Sequence, residues 1–404
     1  LGPAETLTWH RGQLRFDKYW RPEYRPSTSW TMDSAAEAYV DLLSDAVRLQ
    51  RVSDVPLGAF LSGGIDSTSV VAFLAQATGE PIKTFTIGFD DSEADERGFA
   101  RMAADEFATR HTERVMASDV TSMSADLVRH FGEPFADSSA IPTWLVSKLA
   151  REQVAVVLSG DGGDELFAGY TWLHMAVRSG RFAGMPAVLR ALLSVGLRIA
   201  PSSPWWNKVR RFNADASLSP MERLRRRETC FSSEQRADLY VPALARAVQD
   251  RAIDRFREYW DQSTALTDEE RMLSQDLHMY LPDDILAKVD RMSMANSLEA
   301  RVPLLDHRIV EFAATVPFEM KYNGSESKRL VKHALKGVVP PKLLEQRKRG
   351  FAIPVHAWFR GELAPVFEET VLAKESRSAD WFESAQVRAM FNDHRAGREN
   401  YGHH

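Results

Sequence analysis

The sequence predicts an α/β fold, a parallel sheet with helices on both faces, followed by a mostly helical C-terminal part. Three observations carry that reading. Apolar runs at 56–61, 82–89 and 154–158 have the length and composition of buried strands. Segments with apolar residues at helical spacing lie between them, and alternation of strands with helices implies crossovers and hence a parallel sheet. Beyond residue 170 the pattern is nearly all helical. At 404 residues and 44% hydrophobic content the chain exceeds what a single core usually holds, so two domains are expected. The boundaries fall at 1–31 for a tail or linker, 32–180 for the α/β core and 181–404 for the helical part.

Taken in order, residues 1–31 carry strand-like pieces (Leu7-Thr8-Trp9 and Gln13 to Phe16), then Pro22 and Pro26. Asp33 or Ser34 can cap a helix running to about residue 51, with Ala38, Leu42, Leu43, Ala46, Val47 and Leu49 on its apolar face. Pro56 to Leu61 is a strand, Ser62-Gly63-Gly64-Ile65-Asp66-Ser67 a tight turn, and Val70 to Leu74 a helix. Strand Ile82 to Phe89, helix Glu96 to Ala108, a short strand near Val115, helices across 119–152 and strand Val154 to Leu158 complete the core. Pro201, Pro204, Trp205 and Trp206 mark an irregular join between two helical sets. Ligands in open parallel sheets sit beyond the carboxyl ends of the strands, so the loops at 62–67, 88–91 and 159–165 should converge on one crevice.

Composition excludes several classes. With 51 basic and 56 acidic residues and a net charge of -5, no nucleic-acid partner is expected, and the run Arg225-Arg226-Arg227 reads as a solvated helix face. A single cysteine, Cys230, rules out an internal disulfide framework or a thiolate metal cage. No apolar stretch reaches the roughly 20 residues needed to cross a bilayer. No signal peptide is evident. A soluble, cytoplasmic protein without a membrane partner is expected. Leu1 in place of methionine and the terminal His403-His404 read as cut ends.

Two loops carry chemistry. In the first, Ser62 to Ser67, glycines let backbone approach a ligand and free amides face an anion. No lysine follows, so it is not the Gly-x4-Gly-Lys loop. Asp66 beside a phosphate needs a cation between them and reads as a Mg2+ ligand; the alternative is an ordinary serine-capped turn. In the second, Leu158-Ser159-Gly160-Asp161-Gly162-Gly163-Asp164-Glu165, three acids crowd one turn and complete a Mg2+ and nucleotide site, unless they merely complement a helix dipole.

The first loop resembles the pyrophosphatase loop of N-type ATP pyrophosphatases, and the second, through Tyr170, resembles the asparagine synthetase branch. Glu133 to Thr143, Asp290-Arg291 with Ser297 to Asp306, and Lys348-Arg349-Gly350-Phe351 agree in the same order, over residues 35–360. The resemblance implies an adenine nucleotide alpha hydrolase-like fold with ATP and Mg2+. Ser62, Gly63, Gly64, Asp66 and Ser67 would hold pyrophosphate, Asp66 and Asp164 would share Mg2+, and Leu61, Ile87, Gly88, Ser159 and Gly160 would line the nucleotide. Lys328 would neutralise charge on phosphate and acyl oxygens, or be a surface lysine. Asp161 falls where many members have a glutamate that assists proton removal from the amine. Asp283 or Asp284 would be its partner, and Arg301 would grip a substrate carboxylate unless it bridges the core. The implied reaction adenylates aspartate and passes it ammonia, giving asparagine, AMP and pyrophosphate. Rival readings on the same site are amidation or cyclisation of another carboxylate (β-lactam, peptide or sugar acid) and ATP binding without turnover. Leu1 to Trp20 resemble the end of a glutaminase domain otherwise missing here, which would supply ammonia from glutamine; a homodimer fits the family.

Overall fold

The computed structural model describes residues 1–88, 95–115, 120–183, 186–199, 204–248, 251–346 and 353–402. Phe89 and the rest of the loop to 91, Pro201, Lys348 to Phe351 and His403-His404 therefore lie outside the described residues.

The chain opens with an antiparallel hairpin, β1 (Glu5–His10) and β2 (Gln13–Lys18), whose register sets Leu7 opposite Phe16 and Trp9 opposite Leu14. Strand side chains alternate, so these four share one face, and all four are exposed. Helix α1 (Met32–Gln50) follows. Its cap is Thr31 rather than Asp33 or Ser34: the Thr31 hydroxyl accepts from the Ser34 amide, and the Ser34 hydroxyl accepts from the Thr31 amide. In this reciprocal box the residue three places on completes the cap instead of starting it.

The core alternates β3 (Leu57–Phe60), α2 (Ile65–Ala77), β4 (Lys83–Gly88), α3 (Arg97–Glu106), β5 (Arg110–Val115), α4 (Val120–Phe131), α5 (Ala140–Arg151) and β6 (Val156–Leu158). Every strand pairing is parallel, in the order β5-β4-β3-β6. A fifth strand, β7 (Glu299–Arg301), adds beside β6, so the helical region contributes to the sheet. The adjacent residues Val157 and Leu158 of β6 enter different apolar clusters. Leu158 packs with Tyr39, Phe73, Ile309 and Leu330, and Val157 with Phe85, Leu149, Leu298 and Trp358. Both faces are thus covered, which a parallel sheet requires. From β3 the chain moves outward to β4 and β5, then returns to β6 on the opposite side. The carboxyl ends of β3 and β6 flank the point where strand order reverses.

Helices then dominate: α6 (Gly163–Phe167), α7 (Thr171–Ala183), α8 (Ala187–Ile199), α9 (Pro204–Asp215), α10 (Pro220–Glu228), α11 (Ser233–Leu239), α12 (Pro242–Ala247), α13 (Arg251–Gln262) and α14 (Asp268–Gln275). A π-helical segment, Asp276–Leu286, contains Pro282. Proline cannot donate to the usual ladder, and wider turns accommodate it. After α15 (Ala287–Met294) and β7 come α16 (His307–Thr315), α17 (Phe318–Lys321) and α18 (Arg329–Ala334). The basic run is not simply solvated: Arg227 closes on the buried Asp215, with Arg226 3.6 Å away. No described helix is long and apolar enough to cross a membrane.

Candidate active site

Two loops interlock at the reversal point. Gly63 has φ +80°, and a Cβ there would stand 2.5 Å from the Phe99 carbonyl carbon, so glycine lets β3 turn tightly into α2 beneath α3. A Cβ on Gly160 would lie 2.5 Å from the Ser67 nitrogen, and one on Gly163 would lie 2.6 Å from Asp66 Cγ. The second loop therefore rests directly on the first turn of α2. Gly64 caps that helix without a side-chain bond. The Ser62 and Ser67 hydroxyls lie 3.1 Å apart, and the Gly64 amide donates to Ser62 Oγ at 3.2 Å. Leu61, Ile87, Gly88 and Ser159 are buried at the strand ends, and the Ser159 amide donates to the Arg301 carbonyl at 2.8 Å, attaching β7.

Lys328 joins this cradle from 262 residues away in sequence. It is 4% exposed, which removes the surface reading. Its ammonium contacts Asp66 and lies 2.5 Å from Asp164 Oδ1, bringing the two acids to one cation. The backbone at Lys328 sits at φ 51°, ψ 36°, a left-handed conformation unfavourable for a lysine and held by its surroundings. The donor set fits a hydrated divalent cation carried by phosphates, since Mg2+ commonly takes one or two carboxylates and completes its shell from substrate and water. Among the described residues no group of three or more Asp, Glu, His or Cys forms a cage. Asp161, half-buried, accepts from the Ser159 hydroxyl.

The other expected residues lie elsewhere. Arg301 donates to Glu299 at 2.6 Å and to the Gln50 and Val52 carbonyls at 2.7 Å, so its guanidinium ties β7 to the end of α1 rather than meeting Lys328. Glu165 also leaves the acid turn. It is 1% exposed and accepts from the Tyr170 hydroxyl at 2.5 Å, and burial followed by the nearby Asp164 pushes its carboxyl up to about 8. Asp283 is exposed, while Asp284 is half-buried. Among the described residues Asp284 does not bond Asp161. Its carboxyl lies near Asp137, a like charge that disfavours a second ionised acid there. Burial, then Asp137, pushes Asp284 up to about 7. For Asp137 the upward pull of burial is outweighed by Lys288, 2.6 Å away, and by Ser139, so its pKa falls. Tyr280, edge-on to Tyr170 at 5.5 Å, connects this pair to Glu165.

Reasoning from sequence missed Lys288 and Arg97. A Cβ on Gly88 would collide with the Arg97 side chain, which pairs with Asp95 at 2.8 Å. The one local signal was a lysine a turn after Asp284, at spacing that places both on one helix face.

An open parallel sheet with an anion cradle and a compensated ion cluster at its switch point defines a ligand-binding α/β protein of the nucleotide-crevice type. The chain belongs to the asparagine synthase family, whose model matches residues 38–404. It is 30% identical over 391 residues to asparagine synthetase (glutamine-hydrolyzing) 1 of Bacillus subtilis, covering 96% of this chain and 60% of that one. A putative asparagine synthetase (glutamine-hydrolyzing) of Mycobacterium bovis is 32% identical, with 95% and 58% covered. A more distant relative, the amidase chyE of Penicillium rubens, is 26% identical over 408 residues, with 90% and 60% covered. The chain thus spans about three-fifths of the length of these relatives.

Proposed function

We propose that the chain is an ATP-dependent amide-forming ligase that adenylates the side-chain carboxylate of aspartate and transfers ammonia to it. The observation that carries this reading is Lys328 held between Asp66 and Asp164 where the two glycine loops interlock. A carboxylate cannot expel oxide, so its oxygen first attacks the α-phosphorus of ATP, and the bond to the β-phosphate breaks to release pyrophosphate. Bound Mg2+ would supply charge neutralisation on the phosphates, held by Asp66 and Asp164. The Ser62 and Ser67 hydroxyls and the uncapped amides at the start of α2 face the leaving pyrophosphate, and Lys328 can follow the charge as it moves. Ammonia then attacks the acyl carbon, and AMP departs with the bonding pair.

The amine must lose a proton. Asp161 is one acceptor, but its carboxylate already carries the Ser159 hydroxyl. Asp284, pushed up to about 7 by burial and by Asp137, is the better candidate in energetic terms. Arg301, occupied by backbone carbonyls, leaves the substrate carboxylate to other cations, such as Arg97 against Gly88 and Lys288 beside Asp137.

The uncovered apolar face of the β1–β2 hairpin and the greater length of the relatives support a glutaminase domain as the nitrogen source; this chain alone would use free ammonia. Incubation with ATP, Mg2+, aspartate and ammonium should yield asparagine, AMP and pyrophosphate in equal amounts. Pyrophosphate release with a different carboxylate but not with aspartate would move the chain to another branch of the family, and ATP binding without release would reduce it to a binding module.

A further inference from the structure

The acid loop and the turn that carries Lys328 are far apart in sequence, and one face of helix α7 holds both. Gly169, just ahead of α7, donates its amide to the Asp164 carbonyl at 2.9 Å, and a Cβ there would overlap Asp164 Oδ1 and Lys328 Cε. The helix therefore starts against the ion cluster. One turn in, His174 Nε2 lies 2.7 Å from the Ala168 carbonyl; a carbonyl can only accept, so Nε2 carries the hydrogen. Burial, the largest influence on this ring, holds its pKa below the ordinary value and keeps it neutral. Ala168 ends α6, the helix of Asp164, in a left-handed conformation at φ 56°. The same imidazole stacks on Tyr322, with ring centres 4.0 Å apart and planes 8° from parallel. Four residues on, along the same helix face, Arg178 donates from Nε to the Tyr322 hydroxyl and from Nη2 to the Gly324 carbonyl, both at 2.8 Å. The buried Tyr322 also donates to that carbonyl, at 3.0 Å. Gly324 sits at φ 98°, and Lys328 follows four places later. Asn323 Oδ1 accepts from the Ser325 and Glu326 amides at 3.0 and 2.9 Å, but those bonds stay inside the turn.

We infer that His174 and Arg178 are positioning residues for Lys328, setting the turn that presents its ammonium against the loop that presents Asp164, a role that rests on Lys328 acting in pyrophosphate release as proposed above. A lysine side chain is flexible, and the left-handed backbone beneath this one is unfavourable, so its aim persists only while neighbours over-determine the turn. His174 supplies a hydrogen bond to one loop and a flat contact to the other. Arg178 pins the turn by its first two residues past α17. Both act through Lys328, because their own polar atoms are spent on Ala168, Tyr322 and Gly324.

Lysine acylation followed by peptide mass spectrometry, paired with kinetics, tests this. Arg178 is exposed, so Arg178→Met removes its donors with the fold in place; His174→Ala removes the ring, and His174→Gln returns a donor near the position of Nε2. In Arg178→Met and His174→Ala, Lys328 should be acylated at least about tenfold faster than in the parent, with the other lysines unchanged. In the same variants kcat for pyrophosphate release should fall about tenfold while KM for ATP stays within about twofold, and His174→Gln should recover most of both effects. In a Lys328→Ala background neither substitution should cost further activity, since no ammonium is left to aim. Unchanged acylation of Lys328 in Arg178→Met overturns the inference whatever the substrate proves to be, as do losses that add in full to that of Lys328→Ala. Faster acylation without pyrophosphate release from any carboxylate upholds the hold on Lys328 and overturns the adenylation reading instead.

Discussion

Asp66 and Asp164 bury their charges against the Lys328 ammonium, whereas Glu165, Asp284 and Asp276 bury theirs against a phenol or another acid. The two arrangements lie on neighbouring elements, and they solve one problem in opposite ways. In the cradle a cation balances the acids and can be traded for another cation. In the layer behind it, burial and acidic neighbours favour the protonated form. Asp276, fully buried, is raised well above the carboxylate range by burial and by Glu228, itself lifted to about 7 by burial. One region is built to meet charge and the other to hold protons.

The largest test removes the ammonium. Lys328→Ala should cut pyrophosphate release about a thousandfold and lower the unfolding free energy by about 3 kcal/mol, because two acids then face each other without the ammonium between them. Added Mg2+ should recover more stability in the variant than in the parent; equal recovery in both would break the idea that the cradle exchanges one cation for another.

Asp284→Asn addresses the proton-holding side. Action as a base requires the deprotonated pair, so kcat/KM should rise with pH through about 7 in the parent. The variant should lose that limb and about a hundredfold in kcat. A limb that survives would pass the role to Asp161.

Glu165→Gln sharpens the contrast through stability. The Glu165 carboxyl titrates at about 8 when folded, against 4.5 ordinarily. Between those values the unfolded chain gives up the proton first, so stability falls as pH rises across the window, by an amount on the order of a few kcal/mol, and is unaffected below it. The glutamine variant should show a flatter profile in chemical denaturation from pH 5 to 8. Smallest, Tyr170→Phe removes one donor to Glu165 and should cost about 1 to 2 kcal/mol by the same measurement; no loss would mean that water replaces the phenol.

Legibility in the sequence followed distance along the chain. Gly63, Gly160 and Gly163 were readable because close backbone approach leaves a local mark, glycines within a few residues of an acid. Lys328 stands in Glu326-Ser327-Lys328-Arg329, where nothing local separates a buried ion partner from a solvated one; the family resemblance singled it out. Asp284 had a visible acid nearby in Asp283, but its partner Asp137 is remote, and only folding pairs them. Arg301 looked free to bind a substrate because backbone carbonyls, its actual partners, have no sequence signature. Strand β7 escaped notice because three residues are too few to display a period.

That short strand bears on how the chain is made. β6 ends at residue 158 and β7 begins at residue 299, so β6 stands as an edge of the growing sheet until all the helices between them have been made. Contacts that close over such separations form late and slowly, and an open edge invites pairing with another nascent chain. Because Lys328 follows β7, a ribosome-bound intermediate would hold both glycine loops before their counter-charge exists. Solubility during synthesis, more than the finished fold, is where this topology is most exposed to substitution in the Glu299–Arg301 segment.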